Sequence, residues 1–232
     1  MNIALFGYGK MGKMIETLAV RRGHQIVATI DVDTVDIDFA RMDVAIDFSM
    51  PDSAFGNISK CLEHQVPIIS GTTGWLADFD KAVQLCDEKD GAFIYASNFS
   101  LGVNVFFELN RQLAKMMAQL KQYSISMEEI HHTQKLDAPS GTAITLAEGI
   151  LDHTDYAAWK LGDAAENEIP IHSKRIGTVP GTHTVDYSSA VDSIEIKHTA
   201  HNREGFALGA IIAAEWLVGK TGVFTMKDVL GL

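Results

Sequence analysis

The sequence feature that most restricts the fold is an alternation of short apolar runs with helix-like segments over residues 1 to 98. The runs have the length and composition of buried strands, and the segments between them repeat apolar side chains at helical spacing. Strands are expected at residues 2–6, 25–31, 43–48, 66–70 and 92–96, and helices at residues 10–22, 51–65 and 76–89. Because strands joined by helices run parallel, this alternation predicts an α/β fold, a doubly wound parallel sheet with helices on both faces.

The pattern changes after a long helix-like segment at residues 101–121. Four later runs alternate apolar and polar residues, which predicts a sheet with one face covered and the other open to a ligand or partner. These runs span residues 123–130, 171–177, 182–189 and 193–199. Residues 155–169 carry the weakest pattern, and we expect them to form a surface loop.

Helix-like segments return at residues 205–219 and 225–232. The change of pattern predicts two domains, with the C-terminal helices folding back onto the first. The first is the doubly wound sheet, and the second is a smaller α+β domain with a mixed sheet. The expected boundaries assign residues 1–100 and 203–232 to the first domain and residues 101–202 to the second.

The composition argues against several classes of protein. A formal net charge of −11 disfavours binding to nucleic acid or to an anionic membrane surface. The longest apolar stretch, residues 206–219, includes Glu215 and is too short to span a bilayer, and the N-terminus lacks the charged region of a signal peptide. Both cysteines, Cys61 and Cys86, fall in helix-like segments. We therefore expect a cytoplasmic protein with reduced thiols.

The glycine-rich sequence GYGKMG, residues 7–12, follows the first predicted strand and opens the first predicted helix. Gly7 permits a tight turn, Gly9 lets the backbone approach a pyrophosphate, and Gly12 lets the helix pack closely on the strand. The start of the helix then offers unpaired N–H groups to the phosphates. Glycine-rich turns also occur for packing alone, but the strand before and the helix after favour a Rossmann-like dinucleotide site.

Asp31 ends the second predicted strand, where a carboxylate accepts hydrogen bonds from the ribose hydroxyls of a dinucleotide. The residues that follow it are acidic and include no lysine or arginine to neutralise a 2′-phosphate. We therefore expect NADH to bind at least as well as NADPH. Two further loops, residues 71–75 and 96–100, follow later strands of the same sheet. Their glycine, hydroxyl and amide residues fit either ordinary turns or contacts to a nicotinamide.

His131 and His132 end a strand of period two, so their side chains are expected to point to opposite faces. A metal site needs further ligands at suitable spacing, and none is evident in the sequence, so we expect no metal. Histidines that are simply hydrogen-bonded within a sheet remain an alternative.

Pro139 and Ser140 mark the start of a helix at residues 140–151, with Ser140 as its N-cap. The N–H groups of Gly141 and Thr142 then lie in the first turn, where a carboxylate is favoured. The histidine pair and Lys135 lie shortly before it in the sequence. The segment therefore predicts a binding site for a small anionic molecule, with an acid beside it.

The sequences GYGKMG and EIHHTQKLDAPSGTA (129–143) resemble those of the dihydrodipicolinate reductase family. The likeness extends through GTTG (71–74), ASNFS (96–100) and the C-terminal segment that begins REGFALGAI (203–211). It implies reduction of 4-hydroxy-tetrahydrodipicolinate, a cyclic dicarboxylate on the route to diaminopimelate and lysine, with NADH or NADPH. It also implies a homotetramer assembled through the sheet of the second domain.

The resemblance further implies roles for individual residues. His131 would be the catalytic acid and Lys135 its companion proton donor. The substrate would be held by His132, Gly141 and Thr142, and we add Arg175 as a cation that can neutralise a substrate carboxylate. The dinucleotide would be held by Gly7, Gly9, Lys10, Met11, Gly12, Asp31, Phe48, Ser49, Gly71, Thr72, Thr73, Ala96, Ser97, Asn98 and Phe99.

One departure from the family concerns the cofactor, because Val32 stands where the family often has an arginine. Strong use of NADPH is therefore doubtful. Two alternatives to the reductase stay open at this point. One is another NAD-dependent oxidoreductase that acts on small imino or amino acids, and the other is a non-catalytic sensor that binds NADH.

Overall fold

The computed structural model describes residues 1–31, 34 and 36–232, so Val32 lies outside the described residues. These residues divide into two compact units, Met1–Leu101 with Glu204–Leu232 and Gly102–Arg203. Within the described part of the chain, no helix has the length and apolar character needed to cross a membrane.

The helices and strands follow each other closely along the chain. The strands are β1 (Asn2–Phe6), β2 (Gln25–Ile30), β3 (Val44–Asp47), β4 (Ile68–Ser70), β5 (Ala92–Tyr95), β6 (Ser124–His131), β7 (Ala158–Leu161), β8 (Glu168–Arg175), β9 (Gly181–Ser188), β10 (Ser193–Ala200) and β11 (Gly222–Phe224). The helices are α1 (Lys10–Arg21), α2 (Pro51–Glu63), α3 (Phe79–Glu88), α4 (Leu101–Met117), α5 (Gly141–Leu151), α6 (Glu204–Leu217) and α7 (Met226–Leu230).

The first unit contains a parallel sheet with strand order β11-β5-β4-β3-β1-β2. Alternate residues of its strands enter two separate cores. Ile3 and Leu5 pack with apolar residues of α1 and α6 on one face, whereas Ala4 and Phe6 pack with α2 and α3 on the other. A sheet buried on both faces explains why its strands are apolar at nearly every position. The predicted doubly wound fold is confirmed.

The second unit contains a five-stranded mixed sheet with order β10-β9-β6-β8-β7. The pairs β6–β8 and β7–β8 are parallel, and the pairs β6–β9 and β9–β10 are antiparallel. Alternate side chains of β6 are buried, and Ile125 and Met127 lie in a core with Leu146 and Ile150 of α5. The same alternation buries the next two side chains of that series, Glu129 and His131. The strand period thus places two polar groups in line with the apolar core.

One sequence prediction about an element is wrong, and one strand was not predicted. Residues 155–169 were expected to form a loop, but β7 lies within them and β8 begins there, at Glu168. β7 is a four-residue edge strand with half-buried and exposed side chains, so it has no apolar alternation to reveal it. β11 was missed because a run of three half-buried residues is too short to show a period.

Close packing of α6 on the loop after β5 predicts one position that cannot carry a side chain. A Cβ added at Gly209 would lie 1.8 Å from the carbonyl oxygen of Phe99. We expect Gly209→Ala to destabilise the first unit by about 1–3 kcal/mol, because the helix must shift to admit the methyl group. Lowered midpoints of urea and thermal unfolding would report it. Gly205→Ala in the same helix is the control, since its Cβ would meet an atom only at 3.6 Å. Equal midpoints for both variants would contradict this packing.

Candidate active site

The glycine turn of the first unit joins β1 to α1. Gly7 has φ +87°, a conformation that favours glycine, and its N–H donates to Ile30 O at 2.8 Å. A Cβ on Gly12 would lie 2.5 Å from Gly7 O, so the helix packs directly on the turn. Gly9 is the N-cap of α1, and no atom of the described residues lies within 4 Å of a Cβ built there. Lys10, exposed, and Met11, half-buried, complete the first turn. The arrangement leaves room for an anionic group at the start of α1.

A crevice of about 600 Å³ opens at the carboxyl ends of β1, β2 and β3. Phe6, the last residue of β1, pairs with Ile30 on one side and Asp47 on the other, so the strand order reverses here. Such a reversal is where doubly wound sheets bind nucleotides. Five of the predicted cofactor residues line the crevice: Gly7, Gly9, Asp31, Phe48 and Ser49. The sequence analysis did not anticipate Lys60 of α2, which lines the same crevice.

The buried carboxylate of Asp47 ties together the loops at this edge of the sheet. Its Oδ1 accepts hydrogen bonds from Ser49 Oγ at 2.6 Å and Asn57 Nδ2 at 3.0 Å. Its Oδ2 accepts from Ser70 Oγ at 2.8 Å and Thr72 Oγ1 at 2.7 Å. The hydroxyls of Ser49 and Thr72, predicted to face the cofactor, are therefore engaged with a protein carboxylate. The sequence shows an acid at the end of an apolar strand, but it does not show which groups donate to that acid.

The remaining predicted cofactor residues lie in the loops after β4 and β5. A Cβ on Gly71 would lie 2.2 Å from the ring of Phe48, so glycine lets the two loops meet. Thr73 is exposed. Phe99 is buried in the core with its ring edge-on to Phe48, so its side chain is structural.

The loop after β5 leaves fewer groups for a ligand. Asn98 Oδ1 accepts the N–H of Ser100 at 2.9 Å, closing the loop locally. Ser97 is exposed and Ala96 is half-buried.

In the second unit, the buried side chains of Glu129, His131 and His183 lie together where β6 pairs with β8 and β9. The strand register places Ser173, Glu129 and His183 side by side, because Glu129 pairs with Ser173 on β8 and with His183 on β9. His131 lies two residues along β6, and its ring centroid is 5.0 Å from that of His183. Glu129 Oε2 lies 3.6 Å from His131 Nδ1 and 3.7 Å from His183 Nε2. Of these residues, the sequence analysis gave a role only to His131.

The electrostatics of this group favour an ionised acid beside a neutral imidazole. Burial raises the pKa of Glu129, but the nearby His183 imidazole and the hydrogen bonds from Ser140 and Ser173 outweigh it and hold the pKa well below its usual range. Burial, with the nearby His183, lowers the pKa of His131 to about 4, and the Glu129 carboxylate opposes that shift. In the absence of a ligand, His131 is therefore neutral at pH 7.

The start of α5 is fixed against the same carboxylate. Ser140 is the predicted N-cap, and its Oγ accepts from the N–H of Ala143 at 3.3 Å. The N–H of Ser140 donates to Glu129 Oε2 at 3.0 Å. No atom lies within 4 Å of a Cβ built on Gly141, which is exposed, and Thr142 follows it in the first turn. The helix therefore presents open space above its N-terminal turn.

The predicted cations of the site differ in what they contact. Lys135 Nζ lies 2.6 Å from an oxygen of Asp137 in its own loop. Arg175 donates to the carbonyl oxygens of Lys135 at 3.2 Å and Asp137 at 2.6 Å and to Glu129 Oε1 at 3.2 Å. These contacts fix the loop to the end of β6.

His132 contacts a residue that sequence reasoning missed. Its Nε2 lies 3.1 Å from a terminal nitrogen of Arg203. Because Arg203 lies 71 positions later in the chain, local spacing gave no signal for this pair.

The atoms of Glu129, His131 and His183 that could bind a metal lie within 4.8 Å of one another. Sequence spacing alone did not suggest this group, since the expectation of no metal assumed that no carboxylate was available. Both oxygens of Glu129 already accept hydrogen bonds, one from Arg175 and the other from the Ser140 N–H. A further cation would compete with these donors and with the guanidinium charge.

Comparisons with known proteins place the chain. Residues 1–99 match the family model described as dihydrodipicolinate reductase, N-terminus, and residues 102–230 match the model for its C-terminus. The chain belongs to the dihydrodipicolinate reductase family. It is 60% identical over 233 residues to the 4-hydroxy-tetrahydrodipicolinate reductase of Christiangramia forsetii, covering 99% of this chain and 98% of that protein. It is 36% identical to the same enzyme of Thermosipho africanus, with the same coverage.

A solved structure of the same family has a similar fold. It is the dipicolinate-bound dihydrodipicolinate reductase from Paenisporosarcina sp. TG-14, which is 21% identical, with a TM-score of 0.78 and 98% of each chain covered.

Membership of the dihydrodipicolinate reductase family settles the reaction class. The chain is an oxidoreductase that reduces 4-hydroxy-tetrahydrodipicolinate in lysine biosynthesis, and its nucleotide-binding N-terminal domain uses a pyridine nucleotide. The sensor and the other oxidoreductases considered from the sequence are therefore not supported.

The four hydrogen bonds that Asp47 accepts predict that its charge holds the nucleotide crevice in shape. In Asp47→Asn, the new amide N–H₂ group faces hydrogen-bond donors, and it cannot accept their bonds. We expect a loss of about 1–3 kcal/mol in stability and weaker binding of reduced dinucleotide, measured by fluorescence titration. The matched control is Asp43→Asn, an exposed acid just before the same strand. If both variants bound dinucleotide as the unmodified protein does, Asp47 would not shape the crevice.

Proposed function

We propose that His131 is the proton donor in the reduction of 4-hydroxy-tetrahydrodipicolinate by this chain. Loss of the 4-hydroxyl group as water gives a conjugated imine, and reduced nicotinamide, when bound, would supply a hydride to one of its ring carbons. The neighbouring ring atom then gains negative charge, and a proton from the His131 imidazolium neutralises it. The observation that supports the role is a buried histidine, 7% exposed, next to an ionised carboxylate and to the open N-terminal turn of α5.

The low pKa of His131 in the free protein requires that the substrate help to protonate it. A dicarboxylate bound near the start of α5 would add two negative charges close to His131. Opposite charges at short range favour the protonated form of an imidazole. Substrate binding would therefore lead His131 to take up a proton from solvent, by raising its pKa from about 4 toward neutrality.

The substrate carboxylates have three proposed contacts. One carboxylate accepts the backbone N–H groups of Gly141 and Thr142, a position favoured by about 0.3–1 kcal/mol at an exposed helix N-terminus. The His132–Arg203 pair supplies positive charge for the other. Lys135 makes the third contact when its ammonium group leaves Asp137 and pairs with a substrate carboxylate.

The reductase from Paenisporosarcina sp. TG-14 is dipicolinate-bound in its solved structure. Dipicolinate is a ring dicarboxylate like the substrate, which supports a site for such a molecule in this chain. Because the guanidinium of Arg175 donates to the loop and to Glu129, we propose that it orders the loop rather than contacting the substrate.

The dinucleotide is proposed to bind along the glycine turn, with its adenosine ribose against Asp31. The loops after β4 and β5, from Gly71 to Thr73 and from Ala96 to Asn98, would lie toward the nicotinamide through their backbone groups. NADH should bind at least as well as NADPH, since Asp31 repels a 2′-phosphate. Lys60 in the same crevice offsets part of that repulsion, so NADPH should still be used.

Three further properties complete the proposal. No metal takes part, because Glu129 Oε2, which faces both imidazoles, already accepts the N–H of Ser140, and Oε1 accepts the guanidinium of Arg175. The chain forms a homotetramer through the second sheet, whose edge strand β10 bears the 40% exposed Ile194 and follows the 87% exposed Val191. The protein is cytoplasmic, in keeping with two buried, unpaired cysteines.

His131→Gln tests the proton donor. Loss of a positioned general acid should lower kcat by about 10²–10⁴-fold, while dinucleotide binding stays unchanged. Steady-state oxidation of NADH with enzymatically generated substrate measures the first, and fluorescence titration the second. His172→Gln, an exposed histidine on β8, is the control and should retain full activity. A kcat within threefold of the unmodified protein would remove His131 from the mechanism.

The cofactor proposal is tested by comparing kcat/KM for NADH and NADPH. In the unmodified protein the ratio should be one or higher in favour of NADH. Asp31→Asn removes the repelling charge and should shift the ratio toward NADPH by about tenfold, a change worth about 1.4 kcal/mol. Lys60→Gln should shift it the opposite way. A preference for NADPH in the unmodified protein, or a Lys60 variant with an unchanged ratio, would contradict the proposed balance.

A further inference from the structure

The side chain of Glu129 is fully buried and joins three separate parts of the second unit. It accepts the N–H of Ser140 at 3.0 Å, the hydroxyl of Ser173 at 2.7 Å and the guanidinium of Arg175 at 3.2 Å. Ser140 caps α5, Ser173 belongs to β8, and Arg175 holds the loop that carries Lys135. Moving this carboxylate would therefore disturb the helix start and the loop together.

The carboxylate also lies beside both imidazoles without a direct hydrogen bond to His131. The buried Nδ1 of His131 has no hydrogen-bond partner among the described residues, and Glu129 Oε2 lies 3.6 Å from it. His183 Nε2 lies 3.1 Å from Ser140 Oγ, so Ser140 links the second imidazole to the helix cap. At such distances the carboxylate acts on His131 through its charge.

We propose that Glu129 is a positioning residue for the reduction. Its buried negative charge favours the imidazolium form of His131, and its hydrogen bonds hold the carboxylate-binding turn of α5 beside that imidazole. The inference rests on the proposed role of His131 as proton donor and identifies Glu129 as the group that favours protonation of that histidine.

The charge of Glu129 matters because the other groups facing His131 act against its protonation. His183 of β9, Arg175 of β8 and Lys135 of the following loop each disfavour a second positive charge, as does burial itself. Arg203, whose terminal nitrogen lies 3.1 Å from Nε2 of the adjacent His132, adds another cation. Among the acids of β6, Glu128 has the opposite facing and pairs with Lys174, so Glu129 alone of the two can oppose these cations.

The test is Glu129→Gln, with Glu128→Gln as the matched control on the same strand. An amide in place of the carboxylate beside a catalytic histidine costs about 10⁴-fold in kcat where the two are hydrogen-bonded. Here the separation is 3.6 Å, so we expect kcat/KM to fall by about 10- to 100-fold, the range seen for outer residues that orient a ligand histidine. Glu128→Gln should leave kcat/KM unchanged.

The pH profile separates a charge effect from a structural one. Activity falls with rising pH as His131 loses its proton, and removing a nearby anion lowers the pKa of an imidazole. The alkaline limb of kcat, which reports groups in the enzyme–substrate complex, should therefore move to lower pH in Glu129→Gln. Calorimetry with pyridine-2,6-dicarboxylate in two buffers should show less proton uptake on binding than in the unmodified protein.

Glu129→Asp is a second test, and it remains informative even if Glu129→Gln does not fold. It keeps the charge and shortens the side chain, so kcat/KM should fall while the alkaline limb stays in place. Unchanged kcat/KM in Glu129→Asp would overturn the positioning role. An unmoved limb in a folded Glu129→Gln, or a limb that moves equally in both variants, would overturn the role of the charge.

The failure of the proposed function has a different signature. If His131→Gln kept the full activity and pH profile of the unmodified protein, His131 would not be the donor. A moved limb in Glu129→Gln alongside a normal His131→Gln would then assign the titrating group elsewhere and overturn the inference as well.

Discussion

A carboxylate buried without solvent is stable only when several donors surround it, and two such carboxylates organise this protein. The cost of removing an ion from water amounts to several kcal/mol, so each acid must gather hydrogen bonds from separate segments. Asp47 gathers Ser49, Asn57, Ser70 and Thr72. Glu129 gathers Ser140, Ser173 and Arg175. In each unit, the loops that form the proposed site are thus fixed to a single charge.

The second unit resolves a conflict between the whole protein and its substrate. The chain has a formal net charge of −11, which disfavours approach of a dianion. Arg175, Lys135 and the His132–Arg203 pair are gathered around the end of β6, and the buried Glu129 and the exposed Asp137 pair with two of these cations. The local field near His131 is therefore set by neighbours within a few ångströms, where the solvent screens least.

The sequence was sufficient for the parallel sheet, the glycine turn and the N-cap at Ser140, because each depends on neighbours within a few residues. It was insufficient for Glu129 with His183, which are 54 residues apart in number and meet only through the register of β6 on β9. The sequence did not predict β7, because this edge strand is stabilised by backbone pairing and shows no apolar alternation. The hydrogen bonds of Ser49 and Thr72 to Asp47 were not predictable, since spacing reveals that a hydroxyl lies in a loop but not which acceptor it faces.

The strict two-residue period of β6 has a consequence for anyone re-engineering this domain. Deleting one residue within the strand would exchange Glu128 for Glu129 on the buried face and turn His131 outward, leaving a lysine-paired acid and an isoleucine in their places. Insertions ahead of Ser124, where the chain forms a turn after α4, leave both the parity and the register of the strand unchanged. The proposed substrate site of the second unit therefore depends on the register of β6 as well as on which residues it contains.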